Sequence, residues 1–252
     1  MKQMEMKYSP HRLVRAILIG LVVLGLLTSG CTAVRRVDRK IKKDVRTIGL
    51  KGAESVRAEI IMGTGKLSVS GGVARLLEAK FAYDIGRWKP EVDYDVRGDT
   101  GILSIRQPSE VAIFISGIRY EWDIRLNDKV PLELSIDLGL GDSDLSLGSL
   151  NLDELDISAG AGNTRLDLVG KLNHDVDVNV DQGLGNLELR LPKDSGVRVD
   201  IDKGLGNIKA SGFKMDGDYY VNDAYADSGE TLNIEIEQGA GNITLKVVDQ
   251  KL

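Results

Sequence analysis

Cysteine is almost absent from this 252-residue chain, in which Cys31 is the only example. An intrachain disulfide is therefore excluded, and stability must come from packing. Aromatic residues make up only 5 % of the sequence, so the core is expected to be aliphatic. Glycine, in contrast, occurs 29 times, which indicates repeated backbone corners between many short strands.

Histidine is also scarce, since the chain has two and only His174 lies beyond the amino-terminal segment. A Ser-His-Asp triad would have to be built around His174, whose place in GKLNHDVDV favours a surface turn. Zinc sites need three or four nitrogen or sulfur ligands, which the sequence does not supply. We therefore expect no catalytic residues, no cofactor and no enzymatic activity.

Residues 1–30 have the features of a targeting segment. HRLVR is positively charged, AILIGLVVLGLL is apolar, and LTSGC has small residues before Cys31. This pattern resembles a bacterial lipoprotein signal peptide, in which cleavage after Gly30 leaves Cys31 as a lipid-modified amino terminus. The alternative is an uncleaved transmembrane anchor, because residues 16–34 are uncharged and nearly long enough to span a bilayer. Both interpretations place the body outside the cytoplasm and attached to a membrane.

Residues 31–51 form a basic tether with eight basic and two acidic residues. Apolar residues recur there at three- and four-residue spacing: Val34, Val37, Ile41, Val45 and Ile48. An amphipathic helix with this stripe could lie on anionic lipid headgroups, and a solvated tether is the alternative. The sequence after residue 51 has 21 basic and 35 acidic residues, which argues against nucleic acid as a partner.

Five segments in the second half of the chain share the pattern G-x-G-[ND]. Their first glycines are 21, 23, 21 and 35 residues apart, so the last step holds an inserted loop. The predicted corner residues are Gly139, Gly141, Asp142, Gly160, Gly162, Asn163, Gly183, Gly185, Asn186, Gly204, Gly206, Asn207, Gly239, Gly241 and Asn242. A regular period of this length is typical of stacked units.

Apolar and polar residues alternate on both sides of each glycine pair. Three residues before the first glycine, for example, every segment is apolar: Ile136, Ile157, Val180, Ile201 and Ile236. This period of two predicts strands with one buried face, and stacking such units builds a continuous core. The asparagines and Asp142 are expected to bond backbone groups at the bend and one another along the stack.

The glycine pairs do not indicate a nucleotide site. None of the five segments continues to the third glycine of G-x-G-x-x-G, and no Lys-Ser or Lys-Thr pair stands at a P-loop position. The glycines also lie between predicted strands, with no helix to follow them. Nucleotide binding is therefore excluded.

One polar column contains several carboxylates, two residues before the first glycine: Asp137, Ser158, Asp181, Asp202 and Glu237. On strands about 4.8 Å apart, such carboxylates repel one another unless they are screened, paired or bridged by a cation. We expect a solvated acidic face without a metal site. The alternatives are weak divalent-cation binding at Asp137, Asp181, Asp202 and Glu237, or docking of a basic partner.

Residues 52–130 follow the same pattern more loosely, with Gly63, Gly65 and Lys66 in the corner columns of VRAEIIMGTGKLSVSGG. We predict an all-β protein whose residues 131–252 form a single-stranded β-solenoid, a β-helix-like stack of G-x-G-[ND] repeats. Residues 52–130 are predicted to be an irregular amino-terminal capping half.

Three long runs resemble the toastrack family of bacterial envelope proteins. They are WDIRLNDKVPLELSIDLGLGDSDLSLGSLNLDELDISAGAGNTRLDL, LLEAKFAYDIGRWKPEVDYDVRGDTGILSIRQPS and DGDYYVNDAYADSGETLNIEIEQGAGNITLKV. The resemblance implies an extracytoplasmic β-solenoid-like domain, related to the sensing domain of membrane proteins that respond to cell-wall-active antibiotics. It implies no established enzymatic activity.

Together these features predict a lipid-anchored binding or sensing module linked to the envelope stress response. The expected partners are the membrane, through the lipid on Cys31, and a membrane signalling protein or a cell-wall polymer. The alternative is a structural or adhesive cell-surface module that binds wall polymer or associates with its own copies.

Overall fold

The computed structural model describes residues 40–108 and 119–249, which are almost entirely β-structure. These described residues belong to one compact unit. A 3-10 turn, Gly86–Trp88, accompanies the strands. In chain order the strands are β1 (Lys42–Ile48), β2 (Ser55–Thr64), β3 (Lys66–Val73), β4 (Leu77–Tyr83), β5 (Glu91–Arg97), β6 (Thr100–Arg106), β7 (Tyr120–Asn127), β8 (Leu132–Leu140), β9 (Ser143–Ser146), β10 (Leu152–Ala161), β11 (Thr164–Asp167), β12 (Val176–Leu184), β13 (Leu187–Pro192), β14 (Gly196–Leu205), β15 (Ile208–Ser211), β16 (Phe213–Asp216), β17 (Tyr219–Asn222), β18 (Thr231–Ala240) and β19 (Ile243–Val248).

The strands form two sheets in which most neighbours are parallel. Sheet I has nine strands in the order β1-β4-β7-β3-β9-β11-β13-β19-β15. Sheet II has ten strands in the order β16-β17-β14-β18-β12-β10-β8-β2-β6-β5. Antiparallel pairing occurs only toward the ends of the two sheets, at β1, β4 and β5 and at β16 and β17. The all-β prediction is therefore confirmed.

Each glycine pair lies where the chain passes from sheet II to sheet I. β8 leads into β9, β10 into β11 and β12 into β13, and the same columns of residues face one another across each parallel pair. Ile157, for example, is aligned with both Ile136 and Val180. Inward residues of both sheets are buried in a single hydrophobic core, as the period-two alternation requires.

The order of the units in space differs from their order in the chain. β18 lies between β12 and β14, although β14 precedes it in the sequence. At the other end β2 lies between β6 and β8. The 35-residue step therefore holds the antiparallel hairpin of β16 and β17 at the end of the stack, while the final repeat pairs further inside.

Strands from before and after residue 130 share the two sheets. β2 pairs with β8 from Val56 to Thr64, and β3 pairs with β9. A methyl group at Gly141 would lie 1.7 Å from the carbonyl oxygen of Gly65, so the corner column continues into the amino-terminal half. β4 and β7 carry an aromatic cluster, in which Trp122 is in edge-to-face contact with Phe81 and Tyr120.

The prediction of an amphipathic helix in the basic tether is wrong for the part of the tether that the structure describes. Lys42–Ile48 is strand β1, which pairs with β4 over its full length. The helical spacing of Val45 and Ile48 is outweighed by pairing with the edge of sheet I, where Ile48 packs against the core. Asp44 and Arg46 lie on the same inner face and form an ion pair of 3.0 Å. Inward charges of this kind discourage further pairing at a sheet edge.

Candidate functional site

The glycine corners bring the backbones of neighbouring units into direct contact. Gly162 has φ of 142°, and a methyl group there would lie 1.8 Å from the carbonyl oxygen of Gly141. At Gly160, a methyl group would lie 2.4 Å from the carbonyl oxygen of Gly139. The second glycines share the positive φ: Gly141, Gly162, Gly185, Gly206 and Gly241. The first glycines share the close approach: Gly139, Gly160, Gly183, Gly204 and Gly239.

A ladder of side-chain amides runs along the corners. Asn163 donates from its backbone N–H and from Nδ2 to Oδ1 of Asp142, at 2.9 and 3.1 Å. Asn186 donates in the same way to Asn163, and Asn242 to Asn186. The backbone N–H of Asn207 donates to Oδ1 of Asn242 at 3.2 Å, which places Asn207 at the end of the ladder. The ladder follows the spatial order of the strands.

Two buried glutamines lie beneath this ladder, and the sequence analysis did not single them out. Nε2 of Gln182 donates to the carbonyl oxygen of Gly162 at 3.1 Å, and Nε2 of Gln238 donates to that of Gly185 at 2.7 Å. Both side chains are buried, and Oε1 of each has no hydrogen-bond partner in the described part of the chain. The sequence did contain a signal for them. Both glutamines stand in a repeat column that holds the apolar residues Leu138 and Ala159 in the earlier units, so they are polar residues in a buried column.

The outer face of sheet II is strongly acidic. Across β2, β8, β10, β12, β18 and β14, this acidic face consists of Glu59, Glu133, Asp137, Glu154, Asp156, Asp177, Asp181, Glu235, Glu237, Asp200 and Asp202. The basic residues on the same face of these strands are Arg57 and Arg198. Arg57 pairs with Glu133 at 2.7 Å, and Arg198 stacks 3.7 Å from the ring of Tyr219. Most of the carboxylates therefore lack a cationic neighbour on their own face.

The outer face of sheet I has charges of both signs, and several of them are paired across its strands. Arg190 lies 3.2 Å from Asp167, and Glu188 lies between Arg165 and Lys246. The hydrogen bond from Lys246 is the main reason why the pKa of Glu188 is lowered, and the positive charges of Lys246, Arg165 and Arg190 add to it. The two sheets thus present different electrostatic surfaces.

The carboxylates of the predicted column are neighbours, but in an order that the chain does not reveal. Asp181 is aligned with Glu237, and Glu237 is aligned with Asp202. Asp137 lies two strands away from Asp181, with Ser158 between them. Partial burial raises the pKa of Asp137, the negative charge of Glu59 raises it further, and a hydrogen bond with Ser158 opposes the shift.

Within residues 40–108 and 119–249, no three histidine, cysteine, aspartate or glutamate side chains are arranged to hold a metal ion. The amide of Asn179 donates to Asp156 at 2.9 Å, and that of Asn233 donates to Asp177 at 3.2 Å. Amides therefore satisfy part of the acceptor capacity of the acidic face.

His174 lies on the return between β11 and β12. Its Nε2 is 2.9 Å from the carbonyl oxygen of Leu152 and 3.0 Å from Oδ1 of Asp153. The adjacent cavity has a volume of about 30 Å³, which is the space of roughly one water molecule. This histidine fastens a turn to the preceding unit. Cys31, the predicted lipidation site, lies outside the described residues.

Comparison with known proteins decides the family. The family model for the N-terminal domain of toast_rack, DUF2154, matches residues 35–190. The chain belongs to the toast_rack family. No curated protein matches the sequence.

Solved structures include relatives of this chain. A candidate cell adhesion protein from Clostridium sporogenes is 34 % identical with a TM-score of 0.76, and the match covers 82 % of this chain and 100 % of that one. A candidate adhesin from Bacteroides fragilis is 12 % identical with a TM-score of 0.29, and the match covers 83 % and 98 % of the two chains. The described part of the toast_rack chain has no helix that is long and apolar enough to cross a membrane.

Proposed function

We propose that this protein is a non-enzymatic, lipid-anchored binding module of the bacterial cell surface. It is a β-solenoid whose acidic face binds a basic segment of a membrane signalling protein and thereby reports envelope stress. The observation that supports this proposal most directly is the contrast between the two sheets. Sheet II has an outer surface of largely unpaired carboxylates, whereas sheet I has charges of both signs, several of which are paired with one another.

A stacked acidic surface is suited to recognition because its charges are fixed by the parallel register. Asp181, Glu237 and Asp202 lie on three adjacent strands, so their spacing follows the distance of about 4.8 Å between strands. Carboxylates at this distance repel one another in the free protein. A basic partner relieves that repulsion when it binds, and it also associates faster because of the field.

Family membership and the amino-terminal sequence support the cellular location. The relative from C. sporogenes is described as a candidate cell adhesion protein, and its match covers its whole chain. Residues 1–30 and Cys31 have the pattern of a lipoprotein signal, which would attach the body to the outer side of a membrane. The assignment as a non-enzymatic module is supported by the role of His174, which fastens a turn beside a cavity of about 30 Å³.

In-cell crosslinking with mass spectrometry tests this function, with and without a cell-wall antibiotic. We expect capture of a membrane signalling protein by the full chain, and loss of capture in the triple variant Asp181→Asn, Glu237→Gln, Asp202→Asn. The matched control removes three carboxylates away from the acidic face: Glu54→Gln, Asp123→Asn and Asp144→Asn. Equal capture of the signalling protein by the two variants would show that the acidic face does not bind it. Recovery of wall fragments alone would indicate that the protein attaches to the wall and has no signalling partner.

A second candidate function is self-association, which one edge of the stack favours. β15 pairs with β19 on one side, and its other side has no partner strand among the described residues. Near this edge Leu205 is 76 % exposed and Met215 is 57 % exposed. Antiparallel pairing of two copies about Ala210 would place Lys209 opposite Ser211, which avoids a direct contact between like charges.

Sedimentation of the purified chain in detergent over a concentration series tests this alternative. The adhesive function predicts a dimer that Leu205→Asp disrupts. Leu184→Asp is the matched control, because Leu184 is the equivalent residue of an internal corner and is 47 % exposed. A monomer at all concentrations would reject self-association through β15.

A further inference from the structure

The end of the molecule formed by β1 and the 3-10 turn has an open concavity of about 910 Å³. Its lining includes Arg46 from β1, Arg87 from the 3-10 turn, and Lys89 and Pro90 directly after the turn. Lys42 also belongs to this surface, because its Nζ lies 2.6 Å from the position that a β-carbon of Gly86 would occupy. We call Lys42, Arg46, Arg87 and Lys89 the basic end.

The acidic residues near the basic end do not neutralise it. Asp44 lies 3.0 Å from Arg46 and 3.7 Å from Lys89, so one carboxylate serves two cations. Glu91 and Asp93 also line the concavity, and the carboxylate of Asp93 lies 3.5 Å from Arg106. The four cations of the basic end and Arg106 thus outnumber the three carboxylates Asp44, Glu91 and Asp93. Lys42 and Arg87 form no ion pair with another described residue, and both are exposed.

The basic end is distinctive because the outer face of sheet II is acidic. A positively charged end on an acidic body gives the molecule a charge asymmetry along the stack. In the field of an anionic surface, such a molecule is oriented with its basic end toward that surface.

We propose that the basic end docks on the anionic phospholipid headgroups of the membrane to which the chain is anchored. This inference rests on the proposed lipid anchor at Cys31. Eleven peptide steps separate Cys31 from Lys42, and at most about 3.6 Å per residue they reach roughly 40 Å. The anchor therefore keeps the basic end close to the headgroups. Docking would direct the carboxyl-terminal end of the stack away from the membrane.

The single lipid attachment and the basic end reinforce each other energetically. The anchor confines the chain to the membrane surface, and the basic end adds an electrostatic attraction to the anionic headgroups there. Each lysine or arginine near an anionic surface strengthens attraction about fivefold. Removal of three of these charges is therefore expected to weaken docking by about a hundredfold.

Hydrogen exchange of the full chain reconstituted in vesicles tests the proposal. The vesicles consist of phosphatidylcholine alone or of phosphatidylcholine mixed with phosphatidylglycerol. We expect slower amide exchange in Lys42–Ile48 and Gly86–Trp88 in the anionic vesicles only, and loss of this protection at high salt. The variant Lys42→Gln, Arg87→Gln, Lys89→Gln is expected to lose the protection. The matched control, Arg165→Gln, Lys171→Gln, Lys209→Gln, removes three exposed charges elsewhere and keeps it.

Three results would overturn the proposal in different ways. Equal exchange in both kinds of vesicle, with the chain retained on both, would reject docking and leave the anchor intact. Failure of the chain to stay with either kind of vesicle would reject the anchor together with the docking. Equal protection by soluble poly(glycerol phosphate) in neutral vesicles would assign the basic end to a phosphate polymer of the wall instead of a lipid.

Discussion

Asn186 donates both its backbone N–H and its side-chain Nδ2 to Oδ1 of Asn163, at 3.2 and 3.1 Å. A single amide oxygen thus joins two neighbouring units twice, and the Nδ2 of Asn242 continues the ladder to Asn186 at 3.1 Å. Because every member fixes the rotamer of the next, the corners form a directed chain from Asp142 to Asn207.

Asn186→Ala should destabilise the fold more than Asn207→Ala. The first substitution removes the side chain that accepts from Asn242 and donates to Asn163, whereas Asn207 is the last member and its side chain accepts from no described neighbour. We expect the free energy of unfolding to fall by about 1–2 kcal/mol in Asn186→Ala and by less than about 0.5 kcal/mol in Asn207→Ala. Urea unfolding of both variants measures the difference, and equal losses would contradict a ladder with a defined end.

Gly162→Ala should be among the most damaging single substitutions. The alanine methyl would lie 1.8 Å from the carbonyl oxygen of Gly141 at a φ of 142°, so the two backbones would have to move apart. We expect a loss of more than about 3 kcal/mol in the free energy of unfolding. Gly229→Ala is the control, because nothing lies within 4 Å of its added methyl. Thermal unfolding measures the two variants. Equal decreases in their melting temperatures would show that the close approach of the two backbones is not the cause of the destabilisation.

Asp137→Asn should stabilise the protein at neutral pH. The pKa of Asp137 is raised by burial and by Glu59, so the folded protein holds this proton more tightly than the unfolded chain. Ionisation of Asp137 therefore lowers the stability of the fold as pH rises from the pKa of the unfolded chain to the higher pKa of the folded protein. The loss of stability persists at every pH above both values. A gain below about 1 kcal/mol is expected at pH 7, and it should vanish in acid. Asp144→Asn on sheet I is the control, and a gain independent of pH would contradict the assignment.

Lys246→Met should raise the pKa of Glu188 toward its ordinary value. The hydrogen bond from Lys246 is the largest cause of the lowered pKa, while Arg165 and Arg190 would remain. A lowered carboxyl pKa adds stability above the unfolded pKa, and this contribution is lost as pH falls through the folded pKa. A carbon-13 NMR titration of the Glu188 carboxyl group measures the shift. An unchanged pKa would mean that the arginines dominate.

Local features of the fold could be predicted from the sequence because each repeat column has one physical role. Ile157 and Val180 alternate with polar residues, and they are buried on parallel strands. Corner positions such as Gly160 and Gly162 could also be predicted, because two closely spaced glycines between strands indicate a tight backbone approach. The acidic face follows from the same columns.

The order of the strands could not be predicted in this way. Val180 is aligned with Ile236, but the sequence would equally allow Ile201, which has the same character and follows sooner in the chain. Strand β1 was missed because the spacing of Val45 and Ile48 also fits a helix, and pairing with β4 is a long-range contact. The basic end was missed for the same reason, since Arg46 and Arg87 come from distant parts of the chain.

The position of β18 between β12 and β14 has a consequence for how the protein matures. During synthesis each strand from β6 to β13 can assemble progressively, because a parallel neighbour of each precedes it in the chain. β14 and β15 cannot do so, since the strands beside them, β18 and β19, are synthesised later. The stack therefore remains incomplete until β18 and β19 have been made. A chain truncated before Thr231 would lose an interior layer of the stack instead of an end.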